Sequence, residues 1–152
     1  MTEQAADAPE ERARRPLAAP EAPWFSIALV VFGVLDAVAP YASTALGQPL
    51  NTLPLNEVID HVVPGALVIG VAWFSLIQGR RSLVGSLLAV VAGTWMVATH
   101  IPLLVQAGQG LVPVETALLH SVAGILVFVT AAMAAVVDAV VAMPARAQEP
   151  GD

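Results

Sequence analysis

Apolar residues run in four long blocks along the chain, at about 24–42, 61–78, 82–106 and 114–143, with short polar or proline-bearing segments between them. A bilayer-spanning helix needs roughly 20 predominantly apolar residues. The blocks therefore predict an all-α integral membrane protein whose four transmembrane helices form a compact bundle. The last block is longer than a bilayer requires, which predicts a tilt or an extension beyond it. Residues 1–22 and 144–152 are dominated by Ala, Pro, Glu and Arg. That composition has too few apolar side chains to offset the entropy of ordering, so both tails are expected to be disordered.

The segments between blocks are small. STALGQPLNTLPLNEVID, at 43–60, is long enough for a cap or a re-entrant turn, and AGQGLVP, at 107–113, makes a tight return. Neither can fold into a domain that reads a signal or binds nucleic acid. A secretory-signal reading of ARRPLAAPEAPWFSIALVVFGVL before DAVAPYA is opposed by the long acidic leader and by Asp36, because signal n-regions are short and basic.

Composition agrees with the pattern. Hydrophobic residues make up 57% of the chain and charged residues 12%, against about 25% charged in an average soluble domain. A water-soluble fold of this size cannot hide so much apolar surface. The net charge of −6 comes largely from the tails and says little about partners. With no Cys, disulfides, thiolate metal sites and cysteine nucleophiles are excluded.

Basic residues set the orientation, since loops rich in Lys and Arg stay on the cytoplasmic side. Lys is absent, and the six basic residues are Arg12, Arg14, Arg15, Arg80, Arg81 and Arg146. With four spans, both tails and the turn between spans two and three fall on one face. The expected location is the cytoplasmic (inner) membrane with both termini in the cytoplasm.

The chain also repeats itself. HVVPGALV at 61–68 returns as HSVAGILV at 120–127, each histidine preceded seven residues earlier by a proline, Pro54 and Pro113. VFGV at 31–34 against VAGT at 91–94 is a weaker echo. Two duplicated helical hairpins are the implied architecture, and internal repeats are a recurrent way of building membrane folds. Gly85, Ala89 and Gly93, and likewise Ala66 and Gly70, recur every four residues, a spacing that lets helix backbones approach closely. Trp24 and Tyr41 fall at the ends of the first span, where an aromatic belt sits. Trp73 and Trp95 lie deeper and are expected to pack.

The topology gives the intramembrane polar residues a depth. Asp36, His61, His100 and His120 all fall in the outer half of the bilayer, and at 1.5 Å per residue Asp36, His100 and His120 lie within roughly a helical turn of one level. His100 continues the Ala89 and Gly93 stripe, His120 has Gly124 one turn on, His61 has Gly65, and Asp36 has Gly33 one turn back. Each therefore faces the bundle rather than lipid, where membrane ionisable groups tend to be functional.

Imidazole suits Zn, Cu, Fe and Ni. His61 and His120, with His100 and Asp36 beside them, are candidate ligands of a transition metal ion (Fe, Cu or Zn). Alternatively, His61 and His120 are axial ligands of a haem, with Gly65 and Gly124 leaving room for the flat macrocycle. The plainer reading is that intramembrane histidines hydrogen-bond between helices. His61, next to Asp60 and four residues after Glu57, is equally read as an interfacial residue. Enzymatic motifs are lacking: there is no glycine-rich phosphate loop and no zinc-protease spacing. Ser121 and His120 point about 100° apart, which disfavours a Ser-His hydrolase. Asp138 has only Arg80 or Arg81 as a nearby cationic partner.

On these grounds a non-enzymatic membrane subunit or scaffold ranks first, with the lipid bilayer, other membrane proteins or a second copy as partners. A metal- or haem-binding protein, redox or metal-handling, ranks second. A proton or small-solute path ranks third, because the inner half of the bundle offers Ser75, Gln78 and Ser86 but no chain of ionisable groups.

Overall fold

The computed structural model describes residues 23–45 and 55–142. The two tails expected to be disordered, and residues 46–54 of the 43–60 segment with Pro54 among them, lie outside the described residues. What is described is helical, with no strand: α1 (Trp24–Ala45), α2 (Leu55–Glu57), a π-helical turn (Val58–Val62), α3 (Val63–Gln78), α4 (Leu83–Gly108) and α5 (Val114–Ala142).

Helix ends follow local chemistry. Pro64 stands in the first turn of α3, directly after the π turn, and its fixed φ suits the helix it sits in. The other end of α3 stops at Gly79, whose φ of 63° is left-handed. The Gly79 and Arg80 amides turn back onto the Leu76 and Ser75 carbonyls, at 3.2 Å each. Ser82 caps α4 by accepting a hydrogen bond from the Gly85 amide at 3.1 Å. Pro102 sits inside α4 and leaves the carbonyl one turn before it without its usual donor, which membrane helices tolerate when neighbours re-satisfy the backbone.

Three segments are long and apolar enough to cross a membrane: Val58–Gln78, Leu83–Gly108 and Ala117–Val141. α1 contributes a shorter apolar stretch, Trp24–Ala39. Their outward surfaces carry Val31, Leu35, Leu67, Phe74, Val91, Ile101, Leu118 and Val136, all exposed. Soluble monomers rarely present apolar patches beyond a few hundred Å². The surface is thus that of a membrane protein, with a lipid bilayer as its environment.

The interior is built from small side chains. Leu29, Val68, Ala72, Ala89, Ala92, Met96, Val127 and Ala131 form one buried core. α4 and α5 pack most extensively, and α1 packs chiefly on α3. Close approach rests on glycine: a Cβ added at Gly93 would stand 2.7 Å from the Phe128 Cα, and one at Gly65 would stand 2.9 Å from both the Gly33 carbonyl oxygen and the Ala37 Cβ. Two packing expectations are corrected. Ala66 and Gly70 face outward, and a Cβ at Gly70 would meet nothing within 4 Å. The packing face of α3 is instead Gly65, Val68 and Ala72. Trp73 and Trp95 are 58% and 51% exposed, so they meet lipid rather than the core.

Candidate metal centre

Four helical segments each deliver one polar side chain to the same point. Asp36 comes from α1, His61 from the π turn, His100 from α4 and His120 from α5. The π turn is what seats His61. A π turn closes i→i+5 and holds an extra residue, so the backbone is locally widened just where the histidine must enter the bundle. His61 is 1% exposed and Asp36 is fully buried. The position of His61 is therefore interior, not the interfacial one that its acidic neighbours had suggested.

The three imidazoles converge through their Nε2 atoms. His61 Nε2 lies 3.1 Å from His120 Nε2 and 3.2 Å from His100 Nε2. One nitrogen from each ring falls within a sphere where all are no more than 4.8 Å apart. The rings stand edge-on, with His61 at 65° to His100 and 84° to His120, so the nitrogens and not the faces meet.

The far nitrogens are held by acceptors. His61 Nδ1 lies 3.2 Å from Asp36 Oδ1, and His100 Nδ1 hydrogen-bonds the Met96 carbonyl oxygen one turn back. Thr99 Oγ1 lies 3.2 Å from the same His100 nitrogen. A carbonyl can only accept, so His100 carries its proton on Nδ1, and a carboxylate places the His61 proton likewise. Both Nε2 atoms then present lone pairs to each other at 3.2 Å. Two facing lone pairs at that separation repel unless a proton or a cation lies between them.

One more acceptor is left over. Asp36 Oδ2 is enclosed and has no hydrogen-bond partner among the described residues. An unsatisfied buried acceptor costs about 1–3 kcal/mol, so it marks a place where a donor completes the site.

The space beside the two glycines is filled by protein. Gly65 packs on Gly33 and Ala37 of α1, and a Cβ at Gly124 would stand 2.8 Å from the Met96 Cβ. The flat gap expected there for a macrocycle is taken by helix contacts.

A second polar cluster lies at the other end of the bundle. Arg81 donates from Nε and a terminal nitrogen to Asp138 Oδ1, at 3.1 and 2.9 Å. Ser86 Oγ donates to Asp138 Oδ2, and the Arg81 guanidinium stands 4.9 Å from the centre of the Phe25 ring. Of the two arginines that the sequence offered Asp138, Arg81 is the one engaged. Between the two clusters the interior is the apolar core, so among the described residues no polar chain connects them.

Of the residues singled out in the sequence, Asp36, His61, His100 and His120 meet, while Gly65 and Gly124 serve the helix packing around them. Sequence reasoning missed the Met96 carbonyl and Thr99, because a backbone acceptor leaves no mark on residue identity. It also missed the π turn, for which Pro64 was the nearest available signal.

The fold and site define a helical membrane protein with a three-histidine cluster of which His61 and His100 are buried and His120 partly so. No family model, no curated protein and no solved structure matches the chain, so its function rests on the geometry of its own residues.

Proposed function

We propose that the protein is a four-span cytoplasmic-membrane protein that binds one transition metal ion through His61, His100 and His120. The observation that carries this reading is the convergence of three Nε2 atoms, at 3.1 and 3.2 Å from His61, with the opposite nitrogens of His61 and His100 tied to Asp36 and Met96. Metal–imidazole bonds are about 2.0–2.1 Å, which puts nitrogens of one tetrahedral shell about 3.3–3.4 Å apart; the two spacings from His61 match this, and the wider third side of the triangle, within 4.8 Å, has to close as an ion enters. Metal-bound histidines usually donate their other N–H to a carboxylate or a backbone carbonyl. Both kinds of partner are present here.

A bare ion fits better than a haem. Two axial imidazoles in line across one iron stand about 4 Å apart, from two bonds of about 2 Å. The 3.1 Å between His61 and His120 leaves no room for a ring between them. Three protein ligands leave a fourth position open, the pattern of sites that exchange or activate a ligand.

The orientation proposed has both termini in the cytoplasm and the histidines toward the outer face. Arg80 and Arg81 stand in the turn between α3 and α4, and no basic residue occurs in 43–60 or 107–113. A duplicated hairpin is supported by the equivalent places of Gly33 and Gly93, and of Asp36 and Met96, each three residues further on. The scaffold reading ranks lower because it gives no reason for His61 and His100, each protonated on Nδ1, to face one another through Nε2. A proton or solute path is opposed by the apolar core between the two polar clusters.

The test is elemental analysis for Fe, Cu, Zn and Ni on protein purified in mild detergent, beside the His61→Ala/His120→Ala double variant. About one metal per chain, lost in a folded variant, is the expected result. Metal-free wild-type protein that also takes up none of these ions on titration overturns the reading.

A further inference from the structure

The long helices fall into two pairs. α1 packs chiefly on α3, and α4 packs most extensively on α5. The closest backbone approaches lie inside the pairs: Gly65 meets Gly33 and Ala37 between α1 and α3, while Gly93 meets Phe128 and Gly124 meets Met96 between α4 and α5. The pairs are the two halves of the proposed duplication. Residues 46–54 join α1 to α2 within the first pair, and residues 109–113 join α4 to α5 within the second. The chain therefore crosses from one pair to the other once, in the short turn between α3 and α4.

That crossing lies at the end remote from the histidines, and this end is tied in further ways. Arg81 in the turn donates to Asp138 of α5 and stands 4.9 Å from the Phe25 ring of α1. A Cβ at Gly85 of α4 would come 3.1 Å from the Val71 side chain of α3. Between the pairs the interior is apolar core, whose attraction is non-directional. On the α3–α4 side of the seam a groove of about 340 Å³ remains between Val63, Pro64 and Leu67 of one pair and Val91, Ala92 and Trp95 of the other. The pairs thus meet less closely there than the helices within each.

At the far end the histidines bridge the seam. Asp36 and His61 belong to the first pair and His100 and His120 to the second, and both short nitrogen contacts, 3.1 and 3.2 Å, cross between the pairs. His61 and His100 each hold their proton on Nδ1, so without a cation their facing lone pairs push the halves apart. An ion bound by all three nitrogens pulls across the same seam.

We infer, resting on the metal reading, that the ion is a clamp: without it the two helix pairs part at the histidine end, hinged on the turn at 79–82, and its binding draws them together. Hinges are a few loop residues that absorb the backbone change, and Gly79 has a φ of 63° with open space around it. Membrane proteins built from internal repeats place ion sites at the repeat interface and rock one half against the other around them. The third side of the nitrogen triangle, His100 to His120, lies inside one pair. Gly93 and Gly124 hold those two backbones together, so that side closes by ring rotation and leaves α4 and α5 in place.

The experiment places two spin labels at a time on the full chain, which has no Cys of its own. All labelled positions are exposed. Val63→Cys with Leu118→Cys spans the seam at the histidine end, Ile77→Cys with Val140→Cys spans it at the turn end, and Val105→Cys with Leu118→Cys stays inside the second pair. Each distance is measured by double electron–electron resonance in detergent, without and with zinc, which is diamagnetic, and zinc per chain is counted on the same samples. The first distance should shorten by about 1–2 Å, the scale of packed-helix shifts, and its distribution should narrow, with the other two unchanged. One zinc per chain with the first distance unchanged overturns the clamp and leaves the metal reading standing, as does an equal shift in all three. A folded chain that takes up no zinc defeats the metal reading for that ion and the clamp together.

Discussion

His61 and His120 stand 59 residues apart in the chain and 3.1 Å apart in space, nitrogen to nitrogen. Their rings stand nearly perpendicular, at 84°. An Nε2 proton on His120 would make this contact an interhelical hydrogen bond, but it would leave two lone pairs facing each other between His61 and His100. His61 has already placed its proton toward Asp36, and its Nε2 must serve both His100 and His120. A single cation satisfies all three nitrogens at once.

Asp36→Asn keeps the shape of the side chain and removes the carboxylate that orients His61. Metal stoichiometry should hold while affinity falls about 10–100-fold, the usual cost of an outer-shell change. Competition against a chromophoric chelator measures it. An unchanged affinity would detach Asp36 from the site.

Metal binding should stabilise the fold. A ligand at 100 times its dissociation constant adds about 2.7 kcal/mol, visible as a higher melting temperature in detergent that a chelator reverses. His100→Ala should abolish the shift. A metal-dependent shift of the same size in His100→Ala would remove His100 from the ligand set.

Helix contact at Gly93 and open space at Gly70 make a matched pair. Gly93→Val drives its side chain into the Phe128 backbone and should cost 1 kcal/mol or more, in the range of overpacked cores at about 1–3 kcal/mol. Gly70→Val meets nothing within 4 Å and should stay within about 0.5 kcal/mol, as outward-facing substitutions do. Thermal unfolding of the two variants side by side decides it.

The Arg81–Asp138 pair is 7% exposed on both sides. Breaking it from one side leaves a buried charge, so Arg81→Ala should destabilise by about 3–5 kcal/mol. Arg81→Met with Asp138→Leu removes both charges and should recover most of that loss. A double variant as unstable as the single one would show that Ser86 or Phe25, not the charge, is the important partner.

Much of this was legible in the residues. The length of each apolar block and the placement of Arg80 and Arg81 predict the helices and the turn between α3 and α4. The shared depth of Asp36, His100 and His120, with a glycine one turn from each of Asp36 and His120, predicts that they turn inward together. What was hidden has physical reasons. In a membrane both faces of a helix are apolar, so Ala66 and Gly70 looked as fit for packing as Gly65 and Val68. Trp73 and Trp95 looked buried because depth in the bilayer and burial in protein are different coordinates. The carbonyl that holds His100 is the backbone group of Met96, a residue whose side chain packs against Gly124.

The π turn at Val58–Val62 makes the site sensitive to length as well as to identity. Deleting Val62 would let the turn relax to α geometry and swing His61 by about 100° relative to the Gly65, Val68 and Ala72 face of α3. All three histidines would still be present, and the site would be gone. The histidine's place in the bundle is set by the count of residues between it and the packing face of α3 as much as by its own chemistry.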